Sequence, residues 1–525
     1  MAGLIRAMAL MCALLACVCG GAAAQALRIG LSNDPGSLDP HYDNYPVNNQ
    51  ISLHIFEALV AQDEHQRLRP ALATSWRAVD ERTWEFKLRE GVRFHDGSPF
   101  TADDVVFSLD RVPRVPNAPS PFTHFTRRIV EVVVIDPLTI RLRTANPAPQ
   151  LPRDLSAIRI LSRKAASGPA PEGKTTEQLN RGEGLVGTGP FRFVSWTRER
   201  QLVLARNDDY WGPKPAWATV TFYPIPDATT RLAALDSGDL DFVENLPTQD
   251  LVRLRRDQRW HIVSVPSNRM IYLHLDHRGE PSPGIPDTAG KNPLKDRRVR
   301  EALDLALDRG ALVRQAMAGD ATVATDLLPW PMFGARQTAA SVAPDPQRAR
   351  RLLAEAGYPD GFSLTLGAPN GRYLNDVRVA EAVAASWTAI GVKTRVESSQ
   401  PPVFFQNRDA YRYSAYLSGW STAGGEAGDP LGGLVATPDR ERGLGGTNRG
   451  RYSNPAVDAL LIEALRTIDD ERRRTLLQEA SRLALDDYAL LPLYFEMASW
   501  VMRRGLTYVG RTDLYTLAQF ITPLP

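Results

Sequence analysis

Cysteine is confined to three positions, Cys12, Cys17 and Cys19, all within an N-terminal apolar stretch. That stretch has the parts of an export signal: Arg6 as the positive start, an apolar run over 7–18, and the small residues Ala22, Ala23 and Ala24. It is too short to span a bilayer. Cleavage near Ala24 or Ala26 removes a signal peptide of residues 1–26 and leaves a chain with no thiol. A product in the periplasm, without disulfides, thiolate catalysis or thiolate metal binding, is expected. A competing reading takes Leu14, Leu15, Ala16 and Cys17 as a lipoprotein box with Cys17 acylated, but the bulky Leu15 fits it poorly.

Long apolar runs are also missing from the remainder, which nowhere offers eighteen uninterrupted apolar residues. Charge of one sign is missing too: 62 Lys and Arg face 60 Asp and Glu, a formal net charge of +2. Removing Arg6 takes this to about +1, and the basic residues, mostly Arg, are dispersed. Nucleic acid and anionic membrane are thereby excluded as main partners. A chain of about five hundred residues without cross-links must be held by burial and is expected to form two or three domains.

Reactive constellations are equally scarce. There is no HExxH zinc motif, no GxSxG nucleophile elbow and no Walker-type phosphate loop. His274, Asp276 and His277 resemble a metal cluster only until strand alternation is applied, which sends His277 to the opposite face. Gly184, Gly187 and Gly189 precede Pro190 and a strand rather than a helix, so they fail the dinucleotide test. The acidic run Asp236, Asp239, Asp241 and Glu244 lacks the spacing of a calcium loop and reads as a helix end with a turn at Gly238. No cofactor and no metal are expected.

What is present is an α/β pattern. Strand signals fall at 27–31, 83–88, 130–135, 139–142, 191–194, 202–205, 220–223, 271–276, 393–397 and 491–494. Helical periodicity runs through Val105, Val106 and Leu109 behind a Thr101/Asp104 cap, through Val299 to Leu307, Ala349 to Ala356 and Val379 to Ile390, and again over 455–465 and 471–485. The stretch 419–450 carries enough glycine to line a cleft with exposed backbone. Trp420, between a strand and that loop, is placed either to wall a pocket or to fill the core.

Five separated segments carry a family likeness: GSPFTADDVVFSLDRV (97–112), GTGPF (187–191), NDDYWG (207–212), LAALDSGDLDFV (232–243) and RARRLLAEAGYPDGF (348–362). In this order they resemble the family 5 extracellular solute-binding proteins, the dipeptide- and oligopeptide-binding receptors of bacterial ABC importers. The resemblance implies a periplasmic-binding-protein type II clamshell of two α/β lobes with a smaller inserted domain. On it, lobe I is built from 27–59, 187–268 and 495–525, the inserted domain from 60–186, and lobe II from 269–494. It further implies a monomeric receptor that closes on a small peptide or peptide-like solute, presents it to permease subunits, and performs no catalysis.

In the dipeptide-binding branch an Asp three residues after a Gly-Trp pair holds the ligand's amino group. Here Gly419 and Trp420 are followed by Ala423 at that place, so the amine anchor is missing unless Glu426 or Asp429 substitutes. Arg372, beside Tyr373, is the candidate for the ligand carboxylate, since a guanidinium can bind it in bidentate fashion. Asn33 and Ser37 lie on the strand-to-loop approach to the cleft and are candidate contacts, against a plain turn set by Asp34 and Pro35. Two other readings stay open: an exported hydrolase using Glu426 and Asp429 as a carboxylate pair, and a receptor that presents its ligand to a membrane sensor.

Overall fold

The computed structural model describes residues 26–279, 281–337, 343–422 and 424–524. The expected signal peptide lies outside them except for Ala26, and so does Ala423. Among the described residues no helix is long and apolar enough to cross a membrane.

One large sheet of eleven strands runs through the molecule. Its strands are β1 (Ala26–Leu31), β2 (Phe191–Thr197), β3 (Gln201–Arg206), β4 (Thr219–Pro224), β5 (Phe242–Glu244), β6 (Trp260–Leu275), β7 (Ala321–Val323), β8 (Phe362–Pro369), β9 (Val392–Ser399), β10 (Ala415–Trp420) and β11 (Leu491–Arg503). The order is β9-β8-β10-β6-β11-β5-β1-β4-β3-β2, with β7 pairing on β11. The pairings of β8 with β9 and β10, and of β1 with β4 and β5, are parallel. β6 and β11 are antiparallel and unusually long, at 16 and 13 residues.

These two strands divide the sheet. Trp260 to Pro266 pair with Arg503 back to Met497, and Met270 to Leu273 pair with Phe495 back to Leu491, with a register break between Pro266 and Met270. On one side of the break a core forms around Leu27, Ile29, Phe191, Val220, Phe222 and Trp500. On the other, Ile271, Leu273, Leu366, Val383, Trp387 and Leu493 share a separate core. The helices Arg297–Leu305, Pro346–Glu355 and Asp376–Ala389 contribute to the second, which is why their apolar positions repeat at three and four. Trp387 Nε1 donates to the Leu303 carbonyl at 3.0 Å, locking two of them together.

A third core belongs to a four-stranded antiparallel sheet in the order Ala73–Asp80, Thr83–Leu88, Thr139–Thr144, Ile129–Asp136. The helix Ala102–Arg111 packs on it, started by the Asp104 carboxylate accepting the Thr101 backbone N–H at 2.9 Å. At its far end Arg111 makes a fully buried bidentate pair with Asp39, 2.8 and 2.7 Å. Burial pushes the Asp39 carboxyl up, but Arg111 outweighs it and holds the pKa below the ordinary range.

Most expected elements are present near their expected ends. Two expectations need correction. The strand signals at 271–276 and 491–494 are only parts of β6 and β11; Pro266 and the half-exposed positions 260–266 hide the first half of β6 from pattern reading. The stretch 419–450 lines the cavity only through Ser421, Thr422 and Gly424 among the described residues, because Gly428–Pro430 and Leu431–Val435 are helical and Leu431, Leu434 and Val435 are buried. His274, read as an ordinary strand residue, is fully buried, with Nδ1 2.7 Å from the Tyr416 hydroxyl, and no group among the described residues could hold a metal ion.

The buried ring of His54 ties this frame to pH. Nδ1 lies 2.8 Å from the Gln50 carbonyl and Nε2 accepts the Ala518 N–H at 2.9 Å, so the ring is a neutral tautomer. Burial lowers its pKa to about 4. Its contribution to stability is therefore complete above the unfolded value of about 6.5 and is lost as pH falls toward 4. In urea titrations, the stability advantage of wild type over His54→Gln is expected to shrink by up to about 1.4 kcal/mol per pH unit across that window. An advantage independent of pH would show that the ring is not held neutral.

Candidate functional site

The break between β6 and β11 sits beside a large cavity of about 710 Å³. Its lining comes from distant parts of the chain: Ser32 and Asn33 after β1, Gln62 and Arg159 between β1 and β2, Asn268 and Arg269 at the break itself, residues 371–374 after β8, Thr422 after β10, and Tyr515 near the C-terminus. A cavity assembled at a junction of separately cored units is the usual setting for a small-molecule site.

Residues 371–374 are pinned by their backbone. The Asp376 carboxylate accepts N–H groups from Gly371, Arg372 and Tyr373 at 3.2, 2.8 and 3.1 Å. Glu496 accepts the Leu374 N–H at 3.2 Å and also pairs with Arg269 at 3.2 Å. The Arg372 side chain is left exposed at the cavity, its guanidinium 5.3 Å from the centre of the Tyr373 ring. No carboxylate among the described residues pairs with it. A fixed backbone carrying an uncommitted guanidinium can take a carboxylate with little loss of order.

Tyr373 also lines the cavity, and Gly419 is the reason it can. A Cβ at 419 would lie 2.7 Å from Tyr373 Cε1 and 2.9 Å from Ile271 Cδ1. The ring therefore rests on bare backbone, with its hydroxyl 3.4 Å from the Gly419 carbonyl.

The other residues singled out in the sequence have different partners. Asn33 is exposed at the cavity and donates to Ser32 Oγ at 3.2 Å. Ser37 is buried away from the cavity lining, donating to Asn180 Oδ1 at 2.9 Å and accepting the Asp39 N–H. Trp420 packs on Gly433 and donates to Asp429 at 3.3 Å, within the core that holds Leu431 and Leu461. Neither it nor Gly419 is part of the cavity wall.

Glu426 is buried between two guanidiniums. Arg473 Nη1 donates to it at 2.8 Å and Arg153 Nε lies 3.1 Å from the same oxygen. Both cations also flank the Phe333 ring, at 4.2 and 5.7 Å. Burial pushes the Glu426 carboxyl up; Arg473 and Arg153 together outweigh it and keep the pKa below its ordinary value. Arg153 in addition donates to the Gly424 carbonyl at 2.6 Å and the Gln66 carbonyl at 3.0 Å. Glu426 is thus the centre of a clamp joining the helices Leu151–Leu155 and Asp470–Asp486 to the 420s. It does not form a cavity-facing carboxylate pair with Asp429.

Sequence reading missed Arg153, Arg159, Asn268 and Glu496. Each is an ordinary polar residue without a motif, and only the fold brings them together.

Comparisons with known proteins place the chain in a family. Residues 67–440 match the family model described as "Bacterial extracellular solute-binding proteins, family 5 Middle". The chain belongs to that family. Among its relatives, the glutathione-binding protein GsiB of Escherichia coli K12 is 28% identical over 497 residues, 92% of either chain. HbpA2 from Haemophilus parasuis shares 24% identity with a TM-score of 0.81, covering 95% of this chain and all of that one. The periplasmic binding protein DppA from Helicobacter pylori, solved with the peptide STSA, shares 23% with a TM-score of 0.71 over 95% and 98%. The family 5 fold of two lobes is the architecture seen here, and GsiB and DppA are named as binding proteins.

In this family 5 protein Glu426 is expected to be structural. Glu426→Ala leaves Arg153 and Arg473 buried without their shared carboxylate and should cost about 3–5 kcal/mol of unfolding free energy in denaturant titrations. A loss below 1 kcal/mol would contradict the clamp.

Proposed function

We propose that this chain is the periplasmic substrate-binding component of an ABC importer, capturing a small peptide or peptide-like solute between its lobes and delivering it unchanged to the permease subunits. On this reading lobe I comprises 27–59, 187–268 and 495–525, the inserted domain 60–186 and lobe II 269–494. It acts as a monomer, and no bond is made or broken.

The observation that carries the proposal is Arg372: an uncommitted guanidinium on a rigid loop, facing a cavity of about 710 Å³. That size lies within the roughly 300–1,000 Å³ typical of small-ligand pockets. The lining is charged and amide-rich, which suits a polar solute carrying a carboxylate. A solute touching both lobes favours the closed state by its differential affinity, and the strand break at 266–270 is where the lobes can turn. The amine-binding Asp of the dipeptide branch has no counterpart in Glu426, whose charge is already spent on two arginines. Cargo other than simple dipeptides follows.

Glutathione and a panel of di- to pentapeptides are the first solutes to test by thermal unfolding. A true cargo at a hundredfold excess over its Kd adds about 2.7 kcal/mol. Arg372→Ala should abolish that shift while moving the unliganded protein by no more than about 0.5 kcal/mol. If nothing in the panel stabilises the wild type, the peptide reading fails.

A further inference from the structure

Five arginines line the cavity: Arg153, Arg159, Arg269, Arg372 and Arg511. Three have their own carboxylates, Glu426, Glu496 and Asp513 respectively. Arg372 is uncommitted and exposed. Arg159 is the anomaly, because it is only 4% exposed and still has no acidic partner among the described residues.

Its surroundings are neutral. Nε donates to Ser52 Oγ at 3.2 Å and Nη1 to the Ser156 carbonyl at 2.6 Å. Nη2 has no acceptor among the described residues, and it is not among the polar atoms sealed from solvent. Since the residue lines the cavity and is otherwise buried, what remains accessible of that nitrogen faces the cavity. The backbone is held as well: Arg159 bridges to Ala58, the next N–H, of Ile160, donates to the Glu57 carbonyl, and the Arg159 carbonyl lies 2.8 Å from His41 Nε2. Burial lowers the guanidinium's pKa to about 10, with only the Tyr515 hydroxyl acting against it.

A buried charge without a counterion costs several kcal/mol. A strut between Ser52 and Ser156 needs two N–H donors and no charge, so that role alone does not account for an arginine. We infer that Arg159 is a second anion subsite of the cavity, and that the cargo carries two separate carboxylates, one taken by Arg372 and one by Arg159. The inference rests on the uptake reading above and narrows it from peptides in general to acidic peptides or peptide-like diacids. The planar guanidinium, fixed at Nε and Nη1, presents Nη2 ready-aligned, which is how a charge-assisted bond is made without loss of side-chain freedom.

The test uses calorimetric titration of the mature protein with tripeptides in matched pairs, Glu against Gln or Asp against Asn at one side chain, together with glutathione and its glycine amide. Wild type is expected to prefer the diacid of a pair by about 10- to 100-fold. Arg159→Gln, which removes the charge and keeps one amide donor, should erase that preference, with the diacid losing far more affinity than the monoacid. Arg159→Lys should retain part of it, and Arg372→Gln should weaken both members. Ligands that bind without preference for the second carboxylate, or a preference that survives in Arg159→Gln, overturn this inference and leave the uptake reading standing. A panel in which nothing binds overturns both. Should Arg159→Gln fail to fold, the wild-type preference within matched pairs decides alone.

Discussion

Two strands, β6 and β11, belong to both halves of the molecule, and their pairing is the constraint on which the rest depends. They run antiparallel for most of their length, yet the ladder slips between Pro266 and Met270. Pro266 has no N–H to give, and the Ser267 hydroxyl takes the Arg269 N–H instead. At the slip Asn268 reaches three parts of the chain at once: its N–H donates to the Thr512 carbonyl, and its side chain donates to Gln66 and to the Thr422 carbonyl. The strands of this seam carry residues of both cores. A rigid sheet whose ladder slips there, and again between Ile271 and Tyr272, is a natural place for two halves to pivot.

The cavity follows from that seam. Its polar residues are supplied by elements that end or break there, and most are already paired. Arg153, Arg269 and Arg511 each meet a carboxylate, so their charges build walls. Arg372 and Arg159 have no carboxylate partner among the described residues, and on the proposal above they are where a ligand's charge is met. Sorting the arginines by whether a partner exists separates frame from function better than proximity to the cavity does.

The segments that made the family legible turn out to be largely frame. Thr188 of GTGPF, with Tyr210 and Trp211 of NDDYWG, all donate to Glu57, at 2.9, 2.9 and 2.7 Å. A Cβ on Gly187 would lie 1.9 Å from the Ile55 carbonyl oxygen, so only glycine lets that turn approach the helix end. Arg111, near the end of the first segment, is buried on Asp39. These motifs could be read from the string because tight turns and buried pairs demand particular residues. The helices were legible for a similar reason, since one apolar face packed on a sheet imposes its period. Arg372 was found through the likeness and the turn before it. Arg159, Glu496 and Asn268 left no trace, because their meaning lies in what stands opposite them across hundreds of residues. Glu426 attracted attention for its charge, and only the packing of Arg153 and Arg473 around it shows that the charge is used internally.

The central claim is a hinge at the β6/β11 seam that lets two lobes close on an unaltered solute. Small-angle scattering of the mature protein, with and without the solute recovered from it by native mass spectrometry, tests this most directly. The account predicts a smaller radius of gyration in the complex and release of the same molecule on denaturation. Superimposable scattering curves, or a solute released chemically changed, would contradict it.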